Sequence, residues 1–361
     1  MKKCLAILLT AVMVLTLAAG CCSAEAGKTF KIGFLFSNFD TMFGRMVRAQ
    51  VEEAGKELGI EFVFTADEEI ADDQINSLEN VLSAGVDGVL IAPVSTSMVP
   101  KIVQMCAGAE TPVMCCFRDL TYDEEAYNQV KDNPYFLGAT FEGETQAGYD
   151  MCKYLNEIGH TRAGIIWFPP GQPLSDTRMA GWQKAIDEGL IENTSSWTFD
   201  GTDALNSFLG GIEYFCTTGK NDVDAIVQLT GNLPGPASIN VVESYNLQDQ
   251  IKIVTYDQFD GMDAALESGV LVFSACGHHV DPLYALMVLY NYLNGTPVTE
   301  GKFTNAANYL YVTNIDQFRK FEPYCNIEKV IYTAEDIRKM VGIDEAGLKE
   351  IMAAYNIDIL K

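Results

Sequence analysis

The chain has 361 residues, 48% of them hydrophobic, and carries a formal net charge of −25. That charge repels nucleic-acid phosphates, no basic patch offsets it, and a nucleic-acid partner is therefore not expected. The length exceeds what a single hydrophobic core usually serves, which predicts two lobes.

The first element is a segment of export type. Lys2 and Lys3 form a basic start, Leu5 to Leu17 an apolar run, and Leu17-Ala18-Ala19-Gly20-Cys21 a small-residue site. The run is too short for a bilayer-spanning helix, which needs ~20 apolar residues. Ending in cysteine, the site resembles a bacterial lipobox, although Ala18 stands where leucine is most usual. The resemblance implies a signal peptide over 1–20 and acylation of Cys21 as the mature N-terminus. An ordinary signal with a chance cysteine is the alternative. The expected location is the extracytoplasmic face of the cell membrane, held by lipid, since two or more acyl chains give stable anchoring. No second long apolar run follows. Losing Lys2 and Lys3 moves the charge from −25 to −27.

From Phe30 onward, apolar strands alternate with amphipathic helices. Lys31–Phe36 reads as a strand, and Phe43, Met46, Val47, Gln50, Val51, Ala54 and Leu58 mark a helix stopped by Gly59. Glu61–Thr65, Gly85–Pro93 and Pro112–Phe117 read as strands, with helices at Ile75–Leu82 and Val99–Ala107 between them. Asp119–Pro134 is polar and strand-poor, and suits a crossing between lobes. The pattern then restarts. Strands are expected at Tyr135–Thr140, Arg162–Phe168, Trp197–Asp200, Val223–Leu229 and Ile251–Asp257, and helices at Thr145–Ile158, Asp176–Glu188 and Ala204–Cys216. Leu271–Gly277 and Tyr309–Val312 are expected to return across the hinge. Unbroken apolar strands between helices predict an α/β fold with parallel sheets covered on both faces.

Ten cysteines are present, and eight remain after Cys4 is removed and Cys21 acylated. Cys115, Cys116 and Cys276 lie in apolar runs, Cys152 and Cys216 on helical patterns, so buried thiols are expected rather than a disulfide framework. No C-x-x-C or H-x-x-x-H spacing suggests a metal, and no cofactor is expected.

Several segments together carry a specific resemblance. KIGFLFSNFDTMFGRMVRAQVEEAGKELGIEF, QINSLENVLSAGVDGVLIAPV, TPVMCCFRDL, SDTRMAGWQKAI and IKIVTYDQFDGMDAAL occur in the order found in type I periplasmic sugar-binding proteins. The resemblance runs from about Lys31 to Val312, and VIYTAEDIRKM resembles a helical extension of some members. It implies two Rossmann-like lobes on a three-crossing hinge, with 28–133 plus 279–311 as the first lobe and 134–278 plus 312–361 as the second. It further implies a monomeric solute receptor that binds a small polar ligand, a sugar or sugar-like solute or a nucleoside, between its lobes. Delivery to an ABC transporter permease would follow. A receptor subunit for a membrane signalling kinase is the alternative. An enzyme is not expected, because no G-x-S-x-G elbow, P-loop or metal cluster appears.

The resemblance also implies site residues. Asp257 ends a strand and matches a ligand-binding aspartate; a helix cap for Asp260–Glu267 is open to the same residue. Arg118 and Arg178 match family arginines, each offering a planar donor fork, with surface or inter-lobe ion pairs as the alternative. Phe39 and Phe43 stand in the first strand-helix loop, where aromatic rings stack on a ligand; Phe43 also fits a helix core. Trp182 reads as core, and Trp167 is placed to reach the cleft. The chain departs from the family pattern in several places. Phe117-Arg118 replaces Asp-Arg, Thr230-Gly231-Asn232 replaces Asn-Asp, Gly277 followed by His278 and His279 replaces glutamine, and Thr41 stands at a loop asparagine. Thr230, Asn232 and His278 remain candidate contacts, His278 as a pH-sensitive donor or as hinge structure. These losses point away from a simple aldose and toward a modified, nucleoside-like or partly anionic ligand.

Overall fold

The computed structural model describes residues 29–65, 70–167, 173–198, 203–219, 222–231 and 235–360. The expected signal segment with Cys21, and the candidate Asn232, lie outside the described residues. The chain begins β1 (Phe30–Leu35), α1 (Met42–Leu58), β2 (Ile60–Thr65), α2 (Ala71–Ser83), β3 (Gly88–Ile91), α3 (Val99–Gly108), β4 (Val113–Cys115), α4 (Glu124–Val130) and β5 (Phe136–Glu142). It continues α5 (Glu144–Glu157), β6 (Arg162–Trp167), α6 (Pro173–Asp187), β7 (Glu192–Thr198), α7 (Ala204–Thr217), β8 (Ala225–Gln228), α8 (Gly235–Ser244), β9 (Lys252–Tyr256), α9 (Met262–Glu267) and β10 (Leu271–Cys276). The end comprises α10 (Asp281–Leu293), β11 (Phe303–Ala307), β12 (Leu310–Val312), α11 (Ile315–Cys325), α12 (Ala334–Lys339) and α13 (Glu345–Ala353).

Two six-stranded sheets form, in the orders β11-β5-β4-β3-β1-β2 and β12-β10-β9-β8-β6-β7. All pairings are parallel except β12 against β10. The predicted α/β class with two Rossmann-like lobes is therefore observed. The central strands β1, β3, β4, β8 and β9 are almost wholly buried, as unbroken apolar runs require. In each lobe the strand order reverses beside the first strand, and ligands of open α/β sheets meet the carboxyl ends of strands there.

The lobe boundaries differ from those expected. The strand beginning near Tyr135 does not open the second lobe. As β5 it pairs with β4 through Val113↔Phe136, Met114↔Gly138 and Cys115↔Ala139, covering an edge that would otherwise leave buried polar backbone unpaired. Asp119–Pro134 stays within the first lobe. Asp123 caps α4 by accepting from the Ala126 N–H at 3.0 Å, and Leu120, Ala126 and Val130 are buried. The first crossing falls instead at Gly143; the other two lie at Gly277 and between β11 and β12.

The C-terminal segment, expected in the second lobe, packs against both lobes. Its helices α11 and α12 pack on α1, α13 packs on β11, and α11 also touches α9 of the second lobe. Two buried amides fix it to the first lobe. Gln50 donates to the Tyr332 carbonyl at 2.9 Å and accepts from the N–H groups of Ile331 and Tyr332. Asn291 donates to the Met340 carbonyl at 2.9 Å and accepts from the Gly342 N–H at 2.7 Å. Neither amide is apolar, so hydropathy patterning does not reveal these ties.

Seven described cysteines are all buried and unpaired, as expected. Burial pushes the thiols up, Cys216 to about 11 and Cys106 to about 12, so they are poor nucleophiles. Among the described residues, no helix is long and apolar enough to cross a membrane.

Gly138 carries the register of β5. Its φ is +133°, and an added Cβ would lie 1.9 Å from the Phe303 carbonyl oxygen of β11. Gly138→Ala is expected to cost about 3 kcal/mol or more, through backbone strain and the collision together. Chemical denaturation measures it, and a loss below about 1 kcal/mol would show that β5 and β11 pair less tightly.

Candidate ligand-binding cleft

The cleft lies where the carboxyl ends of both sheets face each other. A cavity of about 360 Å³ is lined by Phe36, Ser37, Phe43, Phe117, Arg118 and Glu142 from the first lobe, Glu144, Leu174 and Arg178 from the second, and His278 at a crossing. A neighbouring cavity of about 310 Å³ shares Phe117, Arg118, Glu142, Glu144 and Leu174 with it. These volumes suit a small ligand.

Arg178, on α6, is the most constrained of the predicted residues. Its Nε donates to Glu144 Oε2 at 2.7 Å and its Nη2 to Glu144 Oε1 at 3.0 Å. Nη1 donates to the Leu229 carbonyl, the guanidinium lies 3.7 Å from the Tyr256 ring centre, and Tyr309 donates its hydroxyl to Glu144 Oε1 at 2.8 Å. Burial alone would lower the Arg178 pKa, but Glu144 outweighs it and holds the residue well above its ordinary value. The fork expected to meet ligand is thus bound to Glu144, and Arg178 organises the cleft wall. Because Arg178 is buried, loss of this side chain is expected to cost folding stability as well.

Arg118 stands at the end of β4, partly buried, with Nη1 donating to its neighbour's Phe117 carbonyl at 2.7 Å. It lines both cavities, opposite Glu142 and Glu144. Asp257 follows β9. Its Oδ2 accepts from the Thr230 hydroxyl at 2.6 Å, and its Oδ1 lies 3.4 Å from His278 Nε2. Asp257 does not cap the following helix, because α9 begins at Met262 with Gly261 as its cap residue. Thr230 serves here to orient Asp257. Phe43 reaches the cavity, with its ring centre 4.4 Å from that of His278. Phe39 does not reach it: only 4% exposed, it packs edge-on against Phe34 and Phe64 in the first core. A phenylalanine one turn before the helix faces inward because Thr41, the helix cap, turns the loop by accepting from the Gly44 N–H at 3.0 Å. Trp182 is fully buried, as expected, and Trp167 packs partly buried against the second core.

Three acidic residues escaped the sequence reading. Glu142 and Glu144 flank Gly143 at the first crossing, and Asp281 opens α10. Glu142 is 5% exposed, and its Oε1 has no hydrogen-bond partner. Asp281 is fully buried; its Oδ2 accepts from the Phe117 N–H at 2.7 Å, and its Oδ1 has no partner. Burial pushes Asp281 up to about 7 and holds Glu142 well above the usual carboxylate range, with Asp281 and Glu144 reinforcing the shift on Glu142 and Arg118 opposing it. The signal available in sequence was the pair of glutamates around a glycine at a strand-helix junction, hidden because that junction was assigned to the wrong lobe.

Residues 32–297 match the family described as "Periplasmic binding protein domain". The chain belongs to the periplasmic binding protein family. Its domain is that of a binding protein, not an enzyme. A protein of Rhizobium meliloti assigned as rhizopine-binding is 26% identical over 225 residues, 59% of this chain and 71% of that one. An HTH-type transcriptional repressor of Mannheimia succiniciproducens is 23% identical over 252 residues, 65% of this chain and 66% of the repressor. Among solved structures, an ABC transporter solute-binding protein of Bacillus halodurans with bound myo-inositol has a TM-score of 0.64 at 21% identity, covering 83% of this chain and all of that one. A periplasmic ribose ABC transporter protein of Conexibacter woesei has a TM-score of 0.68 at 16% identity, covering 84% of this chain and 99% of that one. The two structural likenesses establish the fold.

The two hinge histidines should titrate unusually. Burial lowers His278, against the opposing pull of Asp257 and Glu144, and lowers His279 to about 3. Both rings should therefore stay neutral below the ordinary histidine value of about 6.5. Asp257→Asn should lower His278 further by removing a favourable charge, while asparagine still tolerates the left-handed backbone at this position. Ring-proton NMR against pH measures both, and a His278 midpoint above about 6.5 would contradict the packing described.

Proposed function

We propose that this protein is a lipid-anchored extracytoplasmic receptor that captures a small polyhydroxylated solute between its lobes and delivers it to an ABC importer. The observation that carries the reading is the cavity lined from both lobes, where Arg118, Glu142, Glu144 and Arg178 stand between aromatic rings. Charged groups give strong directional bonds to hydroxyls, and ring faces cover the apolar side of a cyclic ligand. Membership of the binding-protein family supports capture rather than catalysis. The bound myo-inositol and the ribose named for the two structural relatives support a cyclic polyol as ligand class. The lipobox-like Leu17–Cys21 supports anchoring through Cys21 at the extracytoplasmic face, where a receptor would meet a permease. A net charge of −25 repels nucleic-acid phosphates and disfavours the transcriptional-repressor role named for some relatives.

A thermal-shift screen over aldoses, cyclitols, nucleosides and small organic acids tests the reading, because a ligand that binds only the folded state raises the melting temperature. A sugar or cyclitol is expected to give the largest rise. Arg118→Ala should then weaken that ligand by about 1.5–3 kcal/mol in calorimetry, the scale of a charge-assisted hydrogen bond. Rises confined to nucleosides or acids, or affinity untouched by Arg118→Ala, would count against it.

A further inference from the structure

We infer that the cleft selects a ligand bearing a basic nitrogen, an amino-substituted sugar or cyclitol whose ammonium is received by Glu142. The inference deepens the proposed polyol-binding role and rests on it. Glu142 lines both cavities, yet is 5% exposed, with Oε1 unpartnered. A buried carboxyl oxygen without a donor is costly unless a ligand supplies one.

The surroundings decide what kind of donor. The guanidinium of Arg178 is engaged two-fold by Glu144, so it neutralises that residue and has little left for Glu142. Arg118 is the remaining cation facing Glu142. On the acidic side stand Asp281 behind Glu142, with its own Oδ1 unpartnered, Glu144 across Gly143, and Asp257 beside His278. His278 adds no compensating charge while its ring is neutral. Tyr309 faces Glu144 with its hydroxyl, and the Cys116 thiol lies behind Arg118. The site is therefore short of positive charge when its carboxyls ionise. In the free protein a proton on Glu142 relieves this. An ammonium does so better, since it displaces that proton, donates to Oε1, and meets the faces of Phe36, Phe43 and Phe117 by cation–π attraction. The acidic surface of the whole chain adds a field that draws cations toward the cleft. A neutral hydroxyl would satisfy Oε1 but not the charge.

Matched pairs test this by calorimetry: 2-amino-2-deoxy-D-glucose and 3-amino-3-deoxy-D-glucose against D-glucose, and 2-amino-2-deoxy-D-galactose against D-galactose. At least one amino sugar should bind about tenfold or more tighter than its hydroxyl counterpart, and Glu142→Gln should bring that ratio close to one. Its affinity should also rise with pH over the range where the ammonium stays charged, because binding displaces the proton that burial holds on Glu142. If neutral members bind as well as or better than amino members, with affinity falling over that range, Glu142 acts as a protonated donor and the inference fails while the polyol reading stands. An amine preference that survives Glu142→Gln would overturn the assignment to Glu142. If no member of any pair binds, the polyol reading fails and takes the inference with it.

Discussion

The cleft depends on one buried ion pair. Arg178 and Glu144 meet through two hydrogen bonds, with Leu229, Tyr256 and Tyr309 satisfying or covering what remains. Taking two charges out of water is expensive, and such a pair persists only with good geometry and full satisfaction. The pair ties α6 to the first residue of α5, to the end of β8 and to the crossing between β11 and β12. It sits directly beside the first crossing at Gly143. Any ligand entering the cleft therefore meets a wall whose charges are already fixed in place, so less ordering is required on binding.

Two non-glycine residues with left-handed backbone stand at equivalent places in the lobes. Phe117 follows β4 with φ +61°, and Asp257 follows β9 with φ +69°. Such conformations are held only where neighbours over-determine them, and they cluster at binding sites. Asp281 grips the Phe117 N–H, while Ser274 donates to the Asp257 carbonyl at 2.6 Å. The sharp turns carry Arg118 to the cavity wall and the Asp257 carboxyl to Thr230 and His278. The first lobe thus presents an aromatic ring where the second presents a carboxylate, and the site is asymmetric in charge about its pseudo-symmetric frame.

Much of the fold was legible because burial on both sheet faces writes itself as unbroken apolar runs, as in Gly88–Ile91 and Lys252–Tyr256. The boundary at β5 was not, since an edge strand of one sheet and the first strand of another have the same local pattern. Arg118 and His278, which line the cavity, follow strand ends that announce themselves by a change from apolar to polar, and Phe43 opens the next helix; Asp257, also picked from a strand end, lines neither cavity. Phe39 misled because ring chemistry does not report which way a loop residue points. Glu142 escaped because its junction reads as the interior of the second lobe, and Asp281 because an isolated acid in sequence reads as surface; only the fold shows that both are buried without a full set of partners.

The claim that the Arg178–Glu144 pair organises the cleft is tested most directly by a double-mutant cycle on unfolding free energy with Arg178→Met and Glu144→Gln. Each single change should cost about 3–5 kcal/mol, because it strands the partner charge in the interior. The double variant should cost far less than the sum, with a coupling of about 2 kcal/mol or more. Additive losses, with coupling below about 0.5 kcal/mol, would contradict the account.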